Sequence, residues 1–161
     1  MRLTGRISEL SVEDREAVRA VINASNRQAY RSIIPVEHFR EEVLSRPEIA
    51  KLFEAMTFYG YWHDEELAGV AALTAEPEGV AQMRWVYVHP QFQRLGVGTA
   101  LVRHLEGRAQ KAGLVKMRLL TADKADWSIS FYRKLGYRVT GEIPRPWGSD
   151  VEMQKDLRLA T

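Results

Sequence analysis

Two glycines one residue apart, Gly96 and Gly98, stand where an apolar segment passes through a proline into an amphipathic stretch, VHPQFQRLGVGTALVRHL (residues 88–105). The first turn of a helix carries unpaired N–H groups and about half a positive charge. Glycine lets the backbone approach an anion because no Cβ stands in the way. With Arg94 beside the glycines as a charge partner, the segment predicts an anion-binding loop at the start of a helix.

Several phosphate-binding patterns have to be distinguished at such a loop. A P-loop requires Gly-Lys followed by Ser or Thr, whereas Thr99 and Ala100 follow Gly98. A dinucleotide fingerprint requires a third glycine where this chain has Leu101, and it also requires an early βαβ unit. The pyrophosphate loop of an acyl-coenzyme A transferase remains, and so does a tight strand-to-helix turn that binds nothing. On these residues alone both stay open.

The elements that must position the loop follow the order βαα, three strands, α, β, α and two final strands. Apolar residues at helical spacing indicate the helices, for example Val97, Leu101, Leu105 and Ala109, and runs of β-branched and aromatic residues indicate the strands. The order predicts one domain over residues 1–161 of the α/β (α+β) class. We expect a mixed, mostly antiparallel central sheet of about seven strands, flanked by about four helices.

Local signals set several expected boundaries. A short first strand is expected over residues 4–8, and Ser11 with Asp14 three residues later is typical of a helix start. Pro47 is expected to interrupt the second helical stretch, and Gly113 is expected at the C′ position of the helix that follows the glycine loop.

Composition excludes several classes of function. The 23 Lys and Arg residues nearly balance the 21 Asp and Glu residues, so no nucleic-acid partner is expected. The chain has no cysteine, which excludes disulfides and a cysteine nucleophile and fits a cytoplasmic protein. No apolar window is long enough for a membrane span, so no membrane partner is expected. The four histidines, His38, His63, His89 and His104, have no metal-binding spacing, and no metal site is expected.

A second segment, ADWSISFYRKLGY (residues 125–137), bears on the interpretation of the glycine loop in residues 88–105. Together the two resemble the acetyl-coenzyme A motif and the second signature of the GNAT superfamily of N-acetyltransferases. They lie in the expected order with one strand between them. The resemblance implies acetyl-coenzyme A (acetyl-CoA) as donor and transfer of its acetyl group to a primary amine of a small molecule, amino acid or peptide. It also implies direct transfer in a ternary complex and a possible homodimer.

The resemblance carries over to particular residues. It implies that backbone groups of the strand before the loop pair with the pantetheine arm, and that the loop offers N–H groups to the pyrophosphate. The matching residues are Val86, Tyr87 and Val88 on the strand and Gln93, Arg94, Leu95, Gly96, Val97, Gly98 and Thr99 in the loop.

Tyr132 matches the tyrosine that lies near the coenzyme sulfur in many relatives. A phenol has a pKa of about 10 and a thiol one of about 8.5, so proton transfer from Tyr132 to a leaving thiolate is slightly uphill. The tyrosine is therefore expected to assist chiefly by hydrogen bonding. The alternative is a core role, because Ser128, Phe131 and Leu135 lie on or near the same apolar helix face.

The chain also departs from the family pattern. Ala125 stands where relatives often have Asn, so one polar contact with the donor is lost or comes from Asp126 or Ser128. Relatives often have a Glu that acts as general base at the position of Gln82 or of Leu120. Neither the amide of Gln82 nor the side chain of Leu120 can take a proton from the amine.

The proton acceptor therefore stays open. It could be a carboxylate such as Glu78 or Asp123, a tyrosine or a chain of waters. The enzyme could also draw on the neutral fraction of the amine. Because the base is missing, a non-catalytic acyl-coenzyme A binding or sensing module remains the alternative function, and a nucleotide-binding module is a further rival.

The acceptor side is expected in NRQAYRSIIPVEHF (residues 26–39) and on the strand before the loop. Tyr30, Ile34 and Trp85 are the candidate acceptor residues, with Arg27 and Arg31 as nearby cations. Such a lining suits an amine that carries apolar or carboxylate groups. The same residues could instead pack the helices on the sheet.

Overall fold

A computed structural model describes residues 2–30 and 44–159 of the chain. In these ranges it contains seven strands and four α-helices, which confirms the predicted fold class. In chain order the elements are β1 (Arg6–Glu9), α1 (Arg15–Tyr30), α2 (Arg46–Ala55), β2 (Thr57–His63), β3 (Glu66–Glu76), β4 (Val80–Val88), α3 (Val97–Lys111), β5 (Lys116–Ala122), α4 (Asp126–Lys134), β6 (Arg138–Arg145) and β7 (Gly148–Asp156). None of the described helices combines the length and apolar character that crossing a bilayer requires.

The strands form one sheet in the order β1-β2-β3-β4-β5-β7-β6, and all neighbours are antiparallel except β4 and β5. The parallel pair is short, since only Val80–Gln82 of β4 pair with Lys116–Arg118 of β5. Beyond these pairs β4 continues beside β3 alone, and β5 continues beside β7 alone. The sheet is therefore forked at its centre.

Helices cover the sheet on both faces, and the predicted helix stripes are the buried ones. On one face α3 buries Val97, Leu101, Leu105 and Ala109, each at most 1% exposed, against β2, β3 and β4. On the other face α1 and α2 pack on β2, β3 and β4 through a second cluster, which includes Ile22.

Two helix boundaries show how local sequence acts. Pro47 was expected to interrupt a helix, and this was wrong: it lies in the first turn of α2, where its missing N–H has no helical partner to lose. Ser45 caps that turn by accepting a hydrogen bond from the Glu48 N–H. Gly113 follows α3 with φ of 82°, as its predicted C′ position requires.

Two sets of polar contacts hold the helices that border the fork. Asn23 of α1 is buried, and its side chain exchanges two hydrogen bonds with the Leu44 backbone just before α2. Glu106 of α3 is 4% exposed and accepts hydrogen bonds from the Tyr137 hydroxyl (2.8 Å), Lys155 Nζ (3.1 Å) and Arg103 Nη1 (3.0 Å). Burial, reinforced by the Glu106 carboxylate, raises the pKa of Tyr137 far above its usual value, so its hydroxyl stays a donor. Glu106 thus ties α3 to β7 and to the end of α4.

We expect Glu106→Ala to lower the free energy of unfolding by about 3–5 kcal/mol. The variant leaves the Lys155 ammonium largely buried without the carboxylate that pairs with it. Tyr137→Phe removes one hydrogen bond and should lower it by only about 1 kcal/mol. Urea denaturation followed by circular dichroism measures both. A Glu106→Ala protein within 1 kcal/mol of the Tyr137→Phe protein would contradict a central role for the carboxylate.

Candidate active site

A cleft of about 800 Å³ opens where β4 and β5 separate. Its walls come from β4, from the loop and first turn of α3, from α4 and from one side of α1. The predicted residues that line it are Val86, Tyr87, Val88, Gln93, Arg94, Gly96, Val97, Gly98, Thr99 and Tyr132. Leu95 is 38% exposed and is not among the lining residues of this cleft.

The wall formed by β4 presents backbone as well as side chains. On one side Tyr87 and Val88 are registered with Val70 and Gly69 of β3. On the other side β4 has no strand partner among the described residues after Gln82. A strand edge without a partner strand can bind an extended ligand through its backbone, as a further strand would bind.

The glycine loop supplies a second set of unpaired donors. Arg94 and Gly96 both have positive φ, 64° and 85°, and backbone that visits this region can form a concave nest of N–H groups. Gly96 is the N-cap of α3, and its carbonyl accepts the first helical hydrogen bond, from Ala100. Since the N–H groups at the start of a helix lack helical partners, this end of the cleft suits an anion.

Two side chains of the loop differ in what they do. Gln93 donates from Nε2 to the Val88 carbonyl (3.2 Å), which closes the turn between β4 and the loop. Arg94 is exposed at the cleft, and no ion-pair partner for it occurs among residues 2–30 and 44–159. Gln93 therefore shapes the loop, and Arg94 brings a positive charge to it.

Gly98, in the first turn of α3, lies close to Phe131 of α4. A Cβ at this position would lie 3.3 Å from the ζ carbon of Phe131 on α4 and 3.7 Å from Val88 Cγ2. At Gly96, by contrast, a Cβ would meet nothing within 4 Å, so the positive φ is the reason for glycine there. Close packing of Phe131 thus favours glycine at position 98, and the backbone conformation favours it at position 96.

Tyr132 is at once a core residue and a lining residue. It is 7% exposed and packs edge-on against the rings of Phe131 (centroids 5.0 Å apart) and Tyr137 (5.7 Å). It also lines the cleft. The two alternatives for this residue are therefore compatible in one geometry, and the surrounding rings hold the phenol in place.

Of the candidate acceptor residues, Trp85 is not among the described residues that line this cleft. Trp85 lies at a β-bulge of β4 with φ of 54° and packs with the cluster under α1 and α2. Its Nε1 is buried and has no hydrogen-bond partner among the described residues. Tyr30 is the last residue of α1, and Ile34 lies outside the described residues. Their contact with an acceptor stays a prediction.

The structure adds lining residues that the motifs did not indicate. Ser25 and Gln28 of α1 and Trp127 and Phe131 of α4 reach the cleft. Ser25 carried a signal, because it is a polar residue in the apolar stripe of α1 and is only 4% exposed. Trp127 carried none, since one aromatic residue on a polar helix face has no periodic signature.

The side chain at the position where relatives often have Asn is buried in this protein and has no polar group. Ala125 is fully buried, and its carbonyl accepts the N–H groups of Ser128 and Ile129 at the start of α4. Ser128 lines the cleft and accepts a hydrogen bond from the Thr121 hydroxyl (2.8 Å). Because it accepts in that bond, its own O–H can donate into the cleft.

The carboxylates of Glu78, Glu152 and Asp123 differ in their distance from the cleft and in their hydrogen-bond partners. Glu78 lies in the turn before β4, with roughly 20 Å of strand between Val80 and Val86. Glu152 binds Arg118 (3.1 Å), and the hydrogen bond from Thr140 lowers the pKa of Glu152 against the effect of burial. Asp123, just after β5, keeps one buried oxygen without a hydrogen-bond partner in the described chain.

Arg118 stands at the last β4–β5 pair and links three strands. Its guanidinium donates to Glu76 of β3 (3.3 Å) and to Glu152 of β7 (3.1 Å). Burial lowers the pKa of Arg118, but the hydrogen bond to Glu152 and the attraction of Glu76 outweigh it, so the pKa lies above its usual value. This charged group therefore marks the point where the strands part.

The family and the curated relatives agree with the geometry. A model described as the acetyltransferase (GNAT) family matches residues 19–137. The chain is 36% identical over 85 residues to the S-(2-succino)cysteine N-acetyltransferase of Bacillus subtilis, a segment that covers 51% of this chain and 52% of that relative. It is 39% identical over 66 residues to the amino-acid acetyltransferase of Ralstonia nicotianae, which is 40% of this chain and 15% of that relative. These matches thus span about half, or less, of the relatives' length.

The fold has a similar solved structure. The crystal structure of the PaiA N-acetyltransferase from Thermoplasma acidophilum in complex with coenzyme A superposes with a TM-score of 0.83 at 23% identity. The superposition covers 96% of this chain and 99% of that one. At this level of identity the likeness shows that the two proteins share a fold.

Gly98→Ala should weaken the binding of coenzyme A (CoA) roughly tenfold by calorimetry, because the added Cβ displaces Phe131, which lines the cleft. Gly107→Ala is the matched control, because Gly107 lies in the same helix and a Cβ there would meet nothing within 4 Å. It should leave CoA binding unchanged. Equal affinities of the Gly98→Ala protein and the wild type for CoA would show that Phe131 can move away from the new Cβ without changing the binding site.

Proposed function

The chain belongs to the acetyltransferase (GNAT) family, and from that premise we propose that residues 1–161 form a single N-acetyltransferase domain. Acetyl-CoA is the donor, and the acceptor is a primary amine of a small molecule, amino acid or peptide. The observation that carries the proposal is the forked sheet. Its cleft brings together Tyr132, the loop at the start of α3 and an edge of β4 that has no partner strand among the described residues.

The lining residues divide the work of holding the donor. The edge of β4 that lacks a β5 partner binds the amide-bearing arm as an added strand, through the backbone of Val86 and the N–H of Val88, since the Val88 carbonyl already accepts from Gln93. The N–H groups from Gly96 to Thr99 hold the pyrophosphate, with Arg94 as counter-charge. The Ser128 hydroxyl supplies the polar contact that Ala125 lacks.

When bound, acetyl-CoA would supply a thioester carbonyl. In the transfer a C–N bond to the amine would form at this carbon and the C–S bond would break. The amine nitrogen would lose a proton, and the sulfur would gain one. The Tyr132 hydroxyl, fixed by the rings of Phe131 and Tyr137, donates a hydrogen bond at the sulfur. No cysteine is present to carry the acetyl group, which supports direct transfer.

Two further assignments complete the proposal. Of the carboxylates considered as proton acceptors, Asp123 is favoured over Glu78, because Asp123 follows β5 at the open end of the fork and one of its oxygens has no hydrogen-bond partner among the described residues. The names of the relatives, an amino-acid acetyltransferase and an S-(2-succino)cysteine N-acetyltransferase, favour an amino-acid acceptor. A homodimer and a cytoplasmic location stay predictions.

The activity is tested by measuring thiol release from acetyl-CoA across a panel of amines, amino acids and peptides. We expect release that depends on the amine and is highest with amines that carry apolar or carboxylate groups. Binding of acetyl-CoA with no thiol release for any amine would favour a sensing module instead. Tighter binding of NAD or ATP than of CoA would favour a nucleotide-binding module.

Tyr132→Phe removes one hydroxyl and keeps the ring packing, so turnover should fall on the order of 100-fold while the affinity for CoA is retained. Tyr61→Phe is the control, because Tyr61 lies on β2 outside the cleft, and its turnover should match the wild type. Steady-state kinetics and calorimetry measure the two quantities. Unchanged turnover of the Tyr132→Phe protein would assign this tyrosine to the core alone.

A further inference from the structure

Trp127 lies in the first turn of α4 and is the aromatic residue at the open rim of the cleft. Its side chain is 48% exposed, yet it lines the same cavity as the glycine loop. A large apolar surface left in contact with water at the mouth of a ligand cleft is typical of a binding contact. Neither the sequence motifs nor the proposed chemistry gives this residue a role.

The aromatic residues of α4 form a series along the cleft. Phe131 is one helical turn after Trp127, so both side chains lie on the same side of α4. Phe131 packs against the position of Gly98 at the start of α3, and Tyr132 is the buried member of the series at 7% exposed. The cleft therefore runs from the buried Tyr132, past the anion-binding loop, to the exposed Trp127.

This order constrains which part of a ligand Trp127 meets. The inference rests on the proposed function, in which Tyr132 lies at the reacting end and Gly96 and Gly98 hold the pyrophosphate. The part of CoA beyond the pyrophosphate is its adenosine, and it must leave the loop at the rim. We propose that Trp127 binds the adenine ring of the donor by stacking. An indole suits this because every base has a π face, and stacking of this kind needs no hydrogen-bond readout.

The proposal predicts a difference between two ligands. CoA carries the adenosine, and 4′-phosphopantetheine lacks it. Calorimetry on the whole chain should show that Trp127→Ala weakens CoA binding by about tenfold or more. The same variant should bind 4′-phosphopantetheine like the wild type. Trp127→Phe keeps an aromatic face and should recover most of the affinity for CoA.

The matched control is another tryptophan. Trp147 lies in the turn between β6 and β7, outside the lining of the cleft, and Trp147→Ala should leave both affinities unchanged. Tryptophan fluorescence gives a second readout. CoA should quench it more than 4′-phosphopantetheine does, and the difference should vanish in the Trp127→Ala protein.

The outcomes separate this inference from the proposed function. Wild-type affinity of the Trp127→Ala protein for CoA would overturn the stacking role and leave the acetyltransferase proposal standing. An equal loss for both ligands would also overturn it, because Trp127 would then act through the shape of α4. Selective loss of CoA affinity, in a protein that releases no thiol with any amine, would support the stacking role and overturn the enzyme. A wild type that binds neither ligand would overturn both.

Discussion

The early separation of β4 from β5 is the constraint on which the rest of the site depends. The two strands are parallel neighbours for three pairs, and then each keeps a partner on one side only. Arg118 sits at the last pair and ties β5 to Glu76 and Glu152 on both sides of the fork. An internal strand edge, normally found only at the rim of a sheet, is thus held open in the middle of the domain.

The two layers of helices contribute differently to that opening. The layer with α3 and α4 supplies the anion-binding turn and the aromatic series, and its buried Glu106 network fixes their spacing. The layer with α1 and α2 closes the other face, and of its described residues Ser25 and Gln28 line the cleft. Side chains such as Tyr132 belong to the core and also line the cleft, because the cleft borders directly on the hydrophobic core.

Much of this could be predicted because its causes are local. The glycine pair, the stripe that begins at Val97 and the C′ glycine all act over a few residues, and each has the expected structure. The bulge in β4 could not be predicted, since one extra residue changes the face that Trp85 takes without altering the composition of the strand. Pro47 was misjudged because proline signals both the start and the interruption of a helix.

The bulge has a consequence for stability. A bulky residue with φ of 54° costs about 1–3 kcal/mol, and a buried indole N–H with no partner in the described chain adds a further penalty of about the same size. Domains of this kind are stable by only about 5–15 kcal/mol in total. In a search for heat-resistant variants, position 85 is therefore where we expect stabilising substitutions to be found.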